Sequence, residues 1–183
     1  GKQVKVHSPK DIIKEGVALI TEDRKVTGLN LSGSVNDNIA MVAIKKLLSH
    51  GLYNKNKARA ASMEYIKKLN IKTPSGDQIT GNLSGGNQQK IVIAKWLLND
   101  PDIIILDEPT RGIDVGAKRD IYLLLGKLVQ QGKAVIMISS EIPELMGVCD
   151  RIMVMCEGNL SGEVQRDAFS QERIMTLASA IEV

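Results

Sequence analysis

The sequence predicts an α/β fold built on a parallel sheet. Three solid aliphatic runs, at residues 17–20, 103–106 and 134–138, are of the length and β-branched character of buried strands. The last two are separated by a stretch long enough for a crossover helix, as a parallel pairing requires.

Each element has a local cause. Residues 3–6 read as a short edge strand. Pro9 opens a helix through Ile13, and Gly16 stops it. A loop covers 21–33. Ser34 starts a helical pattern that runs, broken at Gly51 and at 54–56, to about Asn70. Pro74 and Gly76 mark a loop over 73–81. A helix is predicted from Ser84 to about Leu98, then a turn around Pro101 before the 103–106 strand. Asp114 caps a helix over 115–131, which Gly132 ends. The 134–138 strand leads to a helix at 141–148 with Pro143 in its first turn. Two strands, 151–156 and 162–165, flank a Gly158-Asn159 turn, and a tail helix starts at Ser170.

Composition excludes several classes. With 183 residues, 43% of them hydrophobic, the chain can bury a sizeable core. Aromatic residues make up 3%, too few for a base-stacking nucleic-acid binder, so no nucleic-acid partner is expected. The longest apolar runs have five residues, far below the roughly 20 of a membrane span. No charged-then-apolar leader is read at the N-terminus. Cys149 and Cys156 follow no metal-ligand spacing and read as reduced, mostly buried thiols. The formal net charge is +3, but residues 41–72 hold eight basic residues against one acidic, Glu64. That segment is either a solvated helical face or a docking surface for a membrane or an acidic partner.

Two motifs carry chemistry. The first is Leu83-Ser84-Gly85-Gly86-Asn87-Gln88-Gln89-Lys90, followed by an apolar helical run. Ser84 is a natural N-cap, and the glycines allow close approach to the backbone. Free amides and the dipole at a helix start attract anions. The second is Ile103-Ile104-Ile105-Leu106-Asp107-Glu108-Pro109-Thr110, a buried strand ending in two carboxylates. Ligands of parallel α/β sheets bind at that end. An Asp there can serve Mg²⁺, and the neighbouring Glu can orient or deprotonate a water.

The pair resembles the signature and Walker B motifs of ATP-binding cassette proteins. With Asn87 in the signature, the chain is similar to bacterial sugar-importer ATPases of the ribose, galactose and xylose type, and specifically to their second, C-terminal cassette. Glu22-Asp23-Arg24-Lys25 resembles their Q-loop, Thr110-Arg111-Gly112-Ile113-Asp114 their D-loop, and Ser139-Ser140-Glu141-Ile142-Pro143-Glu144 their switch region. Asp150-Arg151-Ile152 and the Glu157-Gly158 turn also match.

The resemblance implies a partial P-loop NTPase-like parallel sheet with an inserted helical subdomain. Its parts are a core piece with the Q-loop (1–33), the helical subdomain (34–83), the signature helix, Walker B, D-loop and switch region (84–165), and a C-terminal helix (166–183). It implies ATP and Mg²⁺ as cofactors. Ser84, Gly85 and Gly86 would touch the γ-phosphate of ATP held by a partner cassette, and Asp114 would contact that partner. Asp107 would serve Mg²⁺ and Glu108 would polarise the attacking water. Glu22 would couple the nucleotide site to the basic segment, which would face a membrane permease served by an external sugar-binding protein. The chain would sit at the cytoplasmic face of the membrane.

The sequence also departs from that family. Ser140 stands where most cassettes have His, and Glu22 where Gln is usual. Gly-Lys pairs occur at Gly1-Lys2, Gly126-Lys127 and Gly132-Lys133, and none is followed by Ser or Thr, so no Gly-x-x-x-x-Gly-Lys-Ser/Thr phosphate loop is present. The expectation is therefore a C-terminal fragment that does not itself hydrolyse ATP. Two alternatives stay open: a DNA-repair or chromosome-maintenance ATPase, which also pairs these motifs, and a non-catalytic interaction domain on the same fold.

Overall fold

Proline at a helix start and glycine past its end bound the opening helix. In the computed structural model, which describes residues 3–179, α1 (Pro9–Lys14) begins at Pro9 and stops short of Gly16, whose φ is +74°. Residues 3–6 do not form the predicted edge strand. They are irregular, with Val4 and Val6 exposed, and without a partner strand there is nothing for them to pack on. β1 (Val17–Ile20) follows as expected. The predicted loop at 21–33 contains a π-helical turn, Arg24–Gly28, started by Asp23, whose carboxylate accepts the amides of Lys25 and Val26.

The broken helical pattern after Ser34 resolves into separate pieces. Ser34 caps α2 (Val35–Ala40) by accepting the Asp37 amide at 3.1 Å. A 3₁₀ turn, Ile44–Leu47, leads into a hairpin of β2 (Leu48–Ser49) and β3 (Leu52–Tyr53), turned by His50 and Gly51 at φ of 52° and 81°. Asn54 caps α3 (Lys55–Lys68) by accepting the Lys57 amide at 3.0 Å. The asparagines at 54–56 thus start a helix instead of breaking one. Asn38, fully buried, bonds both the amide and the carbonyl of Asn30 and the Ser34 carbonyl, tying the 21–33 loop to α2. All eight basic residues of 41–72 are exposed.

A 3₁₀ turn, Thr80–Asn82, precedes α4 (Gly85–Leu97). β4 (Ile103–Asp107) runs one residue further than predicted because Asp107 still pairs with Ile138. α5 (Val115–Gln130) is capped by Asp114, which accepts the Ala117 amide at 2.9 Å, and β5 (Ala134–Ile138) closes the unit. β1, β4 and β5 form a parallel sheet in the order β1-β4-β5. Ile20, Ile104 and Leu106 on one face are buried against the aliphatic residues of α4 and α5, and Ala18 on the same face is also buried. The strands had been expected to be buried throughout, but Leu19, Ile136 and Ile138 on the opposite face are about half exposed, at 45%, 52% and 50%. In this unit the packed helices cover one face of the sheet only.

The chain divides into two compact units, residues 1–138 and 139–183. The second holds α6 (Ile142–Val148), the antiparallel pair β6 (Arg151–Cys156) and β7 (Asn159–Gln165), and α7 (Gln171–Ala178). Its core is Ile152, Val154, Val164 and Ile174, joined by Phe169 and Leu177. Glu157 and Gly158 both have positive φ, the conformation of a tight hairpin turn, so β7 starts at Asn159 and not at 162. Cys149 and Cys156 are free and half-buried, less enclosed than expected, and burial pushes the Cys149 thiol up. Residues 180–183 of the expected tail helix lie outside the described residues.

Candidate functional site

The start of α4 is built to leave its amides open. Ser84 holds extended backbone angles at the N-cap position, but its side chain does not cap the helix. Its Oγ instead accepts from Asn87 Nδ2 at 2.9 Å, while Asn87 Oδ1 accepts the Lys72 amide at 2.8 Å. The first amides of a helix have no intrahelical acceptor, so those of Gly85, Gly86 and Asn87 keep their donor capacity. Ser84 is exposed there. Gln88 is buried and donates to the carbonyls of Thr80, Gly81 and Leu83, which holds the approach to the helix in shape.

The glycines answer to close neighbours. A Cβ on Gly86 would lie 2.5 Å from the Ala117 methyl on α5, and one on Gly85 would lie 2.7 Å from Arg24 Nη2 and 3.2 Å from the Gly112 carbonyl oxygen. Gly86 is therefore where α4 and α5 touch, close to Asp114.

At the tip of β4, Asp107 is the last paired residue, opposite Ile138. Glu108 departs from the strand with φ of 45°. Its amide still donates to Ile138 O at 2.9 Å, and its carbonyl accepts from Arg111 at 3.2 Å. A non-glycine residue in that region carries backbone strain. Two adjacent carboxylates supply hard oxygen donors, of which Mg²⁺ takes one or two beside waters and phosphate oxygens. The donor chemistry fits that ion.

Glu22 is joined to the D-loop by an ion pair with Arg111. Arg24, two residues on, donates Nη1 to Arg111 O at 2.9 Å and Nη2 to Gly112 O at 3.3 Å. The structure thus brings Glu22, Gly85, Gly86 and Asp114 together around the D-loop backbone. Ser140 lies in the second unit, between Ser139 and Glu141; Ser139 Oγ bonds the Glu144 carboxylate and accepts the Glu141 amide.

Sequence reasoning gave no role to four residues that this arrangement uses. Arg24 was visible only as a member of its quartet. Arg111 binds Glu22 across 89 positions of sequence, a contact that no local pattern reports. Lys90, 6% exposed, pairs with Asp120 Oδ2 on α5 at 2.7 Å. Its hydrogen bond holds the Asp120 carboxyl below the usual carboxylate range. Lys95, also 6% exposed, donates to the Gly28 carbonyl at the end of the 24–28 turn. Burial pulls its ammonium below the ordinary lysine value. Its spacing from Ile91 and Val92 puts it on a buried helix face, and that was the legible signal.

A family model described as ABC transporter matches residues 5–111, a stretch that includes Glu22–Lys25, Leu83–Lys90 and Asp107-Glu108. The chain belongs to the ABC transporter family. Over 180 residues this ABC chain is 53% identical to a ribose import ATP-binding protein of Clostridium tetani, covering 98% of this chain and 36% of that protein. It is 50% identical to a xylose import ATP-binding protein of Thermoanaerobacter pseudethanolicus, covering 98% of this chain and 35% of that one. It therefore spans little more than a third of the length of these curated relatives. Among solved structures, a dimeric ATP-binding cassette in a post-hydrolysis state, bound to ADP and phosphate, superposes with a TM-score of 0.69 at 25% identity, covering 84% of this chain and 64% of that one. A nucleotide-free ATP-binding cassette from an ABC transporter superposes at 0.71 with 18% identity, covering 93% and 71%, and shows the shared fold.

Two outcomes follow from the packing of α4. Gly86→Ala forces α4 and α5 apart and should cost about 1–3 kcal/mol in urea denaturation. The Lys90–Asp120 pair has a depressed carboxyl pKa, so its stabilisation is present above the unfolded carboxylate value and is lost as pH falls through the folded one. Asp120→Asn should be less stable than the parent at pH 7. The two curves should converge below about pH 4, and a gap that stays constant with pH would rule the pair out as its source.

Proposed function

We propose that this ABC chain is part of the ATP-hydrolysing, energy-coupling subunit of a membrane transporter that imports a monosaccharide. The observation that carries the reading is the open start of α4. Ser84 is exposed and its hydroxyl is drawn to Asn87, so the amides of the first turn are left uncapped by it beside the D-loop. The names of the relatives, ribose and xylose import ATP-binding proteins, support this class over a chromosome-maintenance ATPase.

In this reading Ser84, Gly85 and Gly86 donate to the γ-phosphate of ATP bound by a second cassette, in the same chain or in a dimer mate. A dimeric arrangement among solved cassettes supports it. Asp114 lies at that interface. At this chain's own strand tip, Asp107 would hold Mg²⁺ and Glu108 would accept a proton from the attacking water. The bound ion and phosphates supply the charge stabilisation; the protein residues fix where water and metal stand. Glu22 and the exposed basic stretch of 41–72 lie toward the permease, with an external sugar-binding protein upstream of it, so the subunit works at the cytoplasmic membrane face. No helix of the described residues is long and apolar enough to cross a membrane.

The chain's own nucleotide pocket is weak in this reading. No phosphate loop is present to cradle the β- and γ-phosphates, Ser140 lacks an imidazole, and Glu22 adds negative charge. The strong half is the one that serves a nucleotide held elsewhere.

Two experiments test this. In the full-length two-cassette protein, Ser84→Arg should cut ATP hydrolysis by at least about tenfold, in line with the loss of one preorganised donor; full activity would reject the cross-dimer role. The 183-residue chain alone should turn over Mg·ATP no faster than its Glu108→Gln variant. Turnover clearly above that control would show that the chain builds a complete site.

A further inference from the structure

Arg24 has no part in the roles above, yet it sits at their centre. The π-helical turn after Asp23 fixes its backbone, and Lys95 pins the far end of that turn through the Gly28 carbonyl. From there the guanidinium forks onto two successive D-loop carbonyls, those of Arg111 and Gly112. Its Nε is buried and makes no hydrogen bond among the described residues, so the two Nη bonds to the D-loop are what hold the guanidinium in place. Glu22 holds the side chain of Arg111, while Arg24 holds its carbonyl. One loop residue is therefore clasped twice by a single short segment.

The same guanidinium fills the space beside the first signature glycine. A Cβ on Gly85 would meet Arg24 Nη2, the movable end of a side chain, at 2.7 Å, and the Gly112 oxygen, fixed in the backbone, at 3.2 Å. We propose that Arg24 is a positioning residue that holds the D-loop against the signature, and that any side chain at Gly85 would have to displace the Arg24 guanidinium from that place. A methyl at Gly85 acts by pushing Arg24 off the D-loop carbonyls and not only by crowding a phosphate. The clasp stands on geometry alone; its effect on hydrolysis rests on the function proposed above.

The test separates the two. Hydrogen–deuterium exchange on this chain reads the amides of Arg111, Ala117 and Lys118, which bond Glu108 and Asp114. Arg24→Ala and Gly85→Ala should each speed exchange there by about tenfold, the size of one lost charge-assisted bond. The double variant should be no faster than the faster single one, because both remove the same contact. Arg24→Lys should not restore the parent rate, since its one nitrogen lacks the rigid planar fork that spans the two carbonyls. Parent-like exchange in Arg24→Ala, or effects that multiply in the double variant, overturns the clasp; Arg24→Ala introduces no clash and decides the matter even if Gly85→Ala does not fold. In the full-length protein, Arg24→Ala should lower kcat with KM for ATP held. An unchanged kcat beside fast exchange overturns the positioning role without touching the reading of Ser84, which the Ser84→Arg result decides separately.

Discussion

Helix α4 is buried on nearly every side, and the rest of the first unit is arranged around that fact. Gly86, the whole stretch from Gln88 to Lys95, and Leu97 are all enclosed. A helix without a solvent stripe must satisfy each of its polar side chains internally. Gln88 does so with the loop before it, Lys90 with Asp120 and the Asn70 carbonyl, and Lys95 with Gly28. The loop, α5 and the 24–28 turn are in this way each tied to one rod.

The energetics decide what such a helix can carry. Ile91, Val92 and Ile93 are almost wholly enclosed, and each contributes about 1.5–3 kcal/mol on burial. Enclosing an ammonium costs several kcal/mol unless it is paired. Lys90 has a carboxylate; Lys95 has a carbonyl and the Trp96 ring at 5.8 Å. The aliphatic burial outweighs that cost, so the helix tolerates Lys95 and gains an anchor on the 24–28 turn. Removing the anchor without replacing its bond would leave the Gly28 carbonyl buried beside an apolar wall that includes Val92.

Much of this was readable in advance. The three parallel strands and helices α2, α5 and α7 followed from aliphatic runs and from the helix starts at Ser34, Asp114 and Ser170, because those signals are local. Ser84–Gly86 and Asp107-Glu108 stood out because their residue types and spacing are rare together. The β2–β3 hairpin was not readable: its strands are two residues long, too short for any period to show. The exposed face of the sheet was also missed, since a solid aliphatic run does not say which of its sides is covered. Arg24, Arg111 and Asp120 escaped because a contact across 30 or more positions leaves no trace in spacing.

Glu108 sets the preference of the backbone against the identity of the side chain. At φ of 45° the polypeptide would favour glycine or asparagine, and the residue present costs on the order of 1 kcal/mol by comparison. Asn70 sits at a similar φ of 49° without such a conflict, at a helix end where asparagine is an ordinary choice. A collection of variants chosen for folding alone would drift at position 108 toward residues that relax the turn. One chosen for the role proposed for the carboxylate would keep the glutamate and accept the strain. The position therefore reports which of the two pressures a given lineage has been under, and it can be read from a single codon.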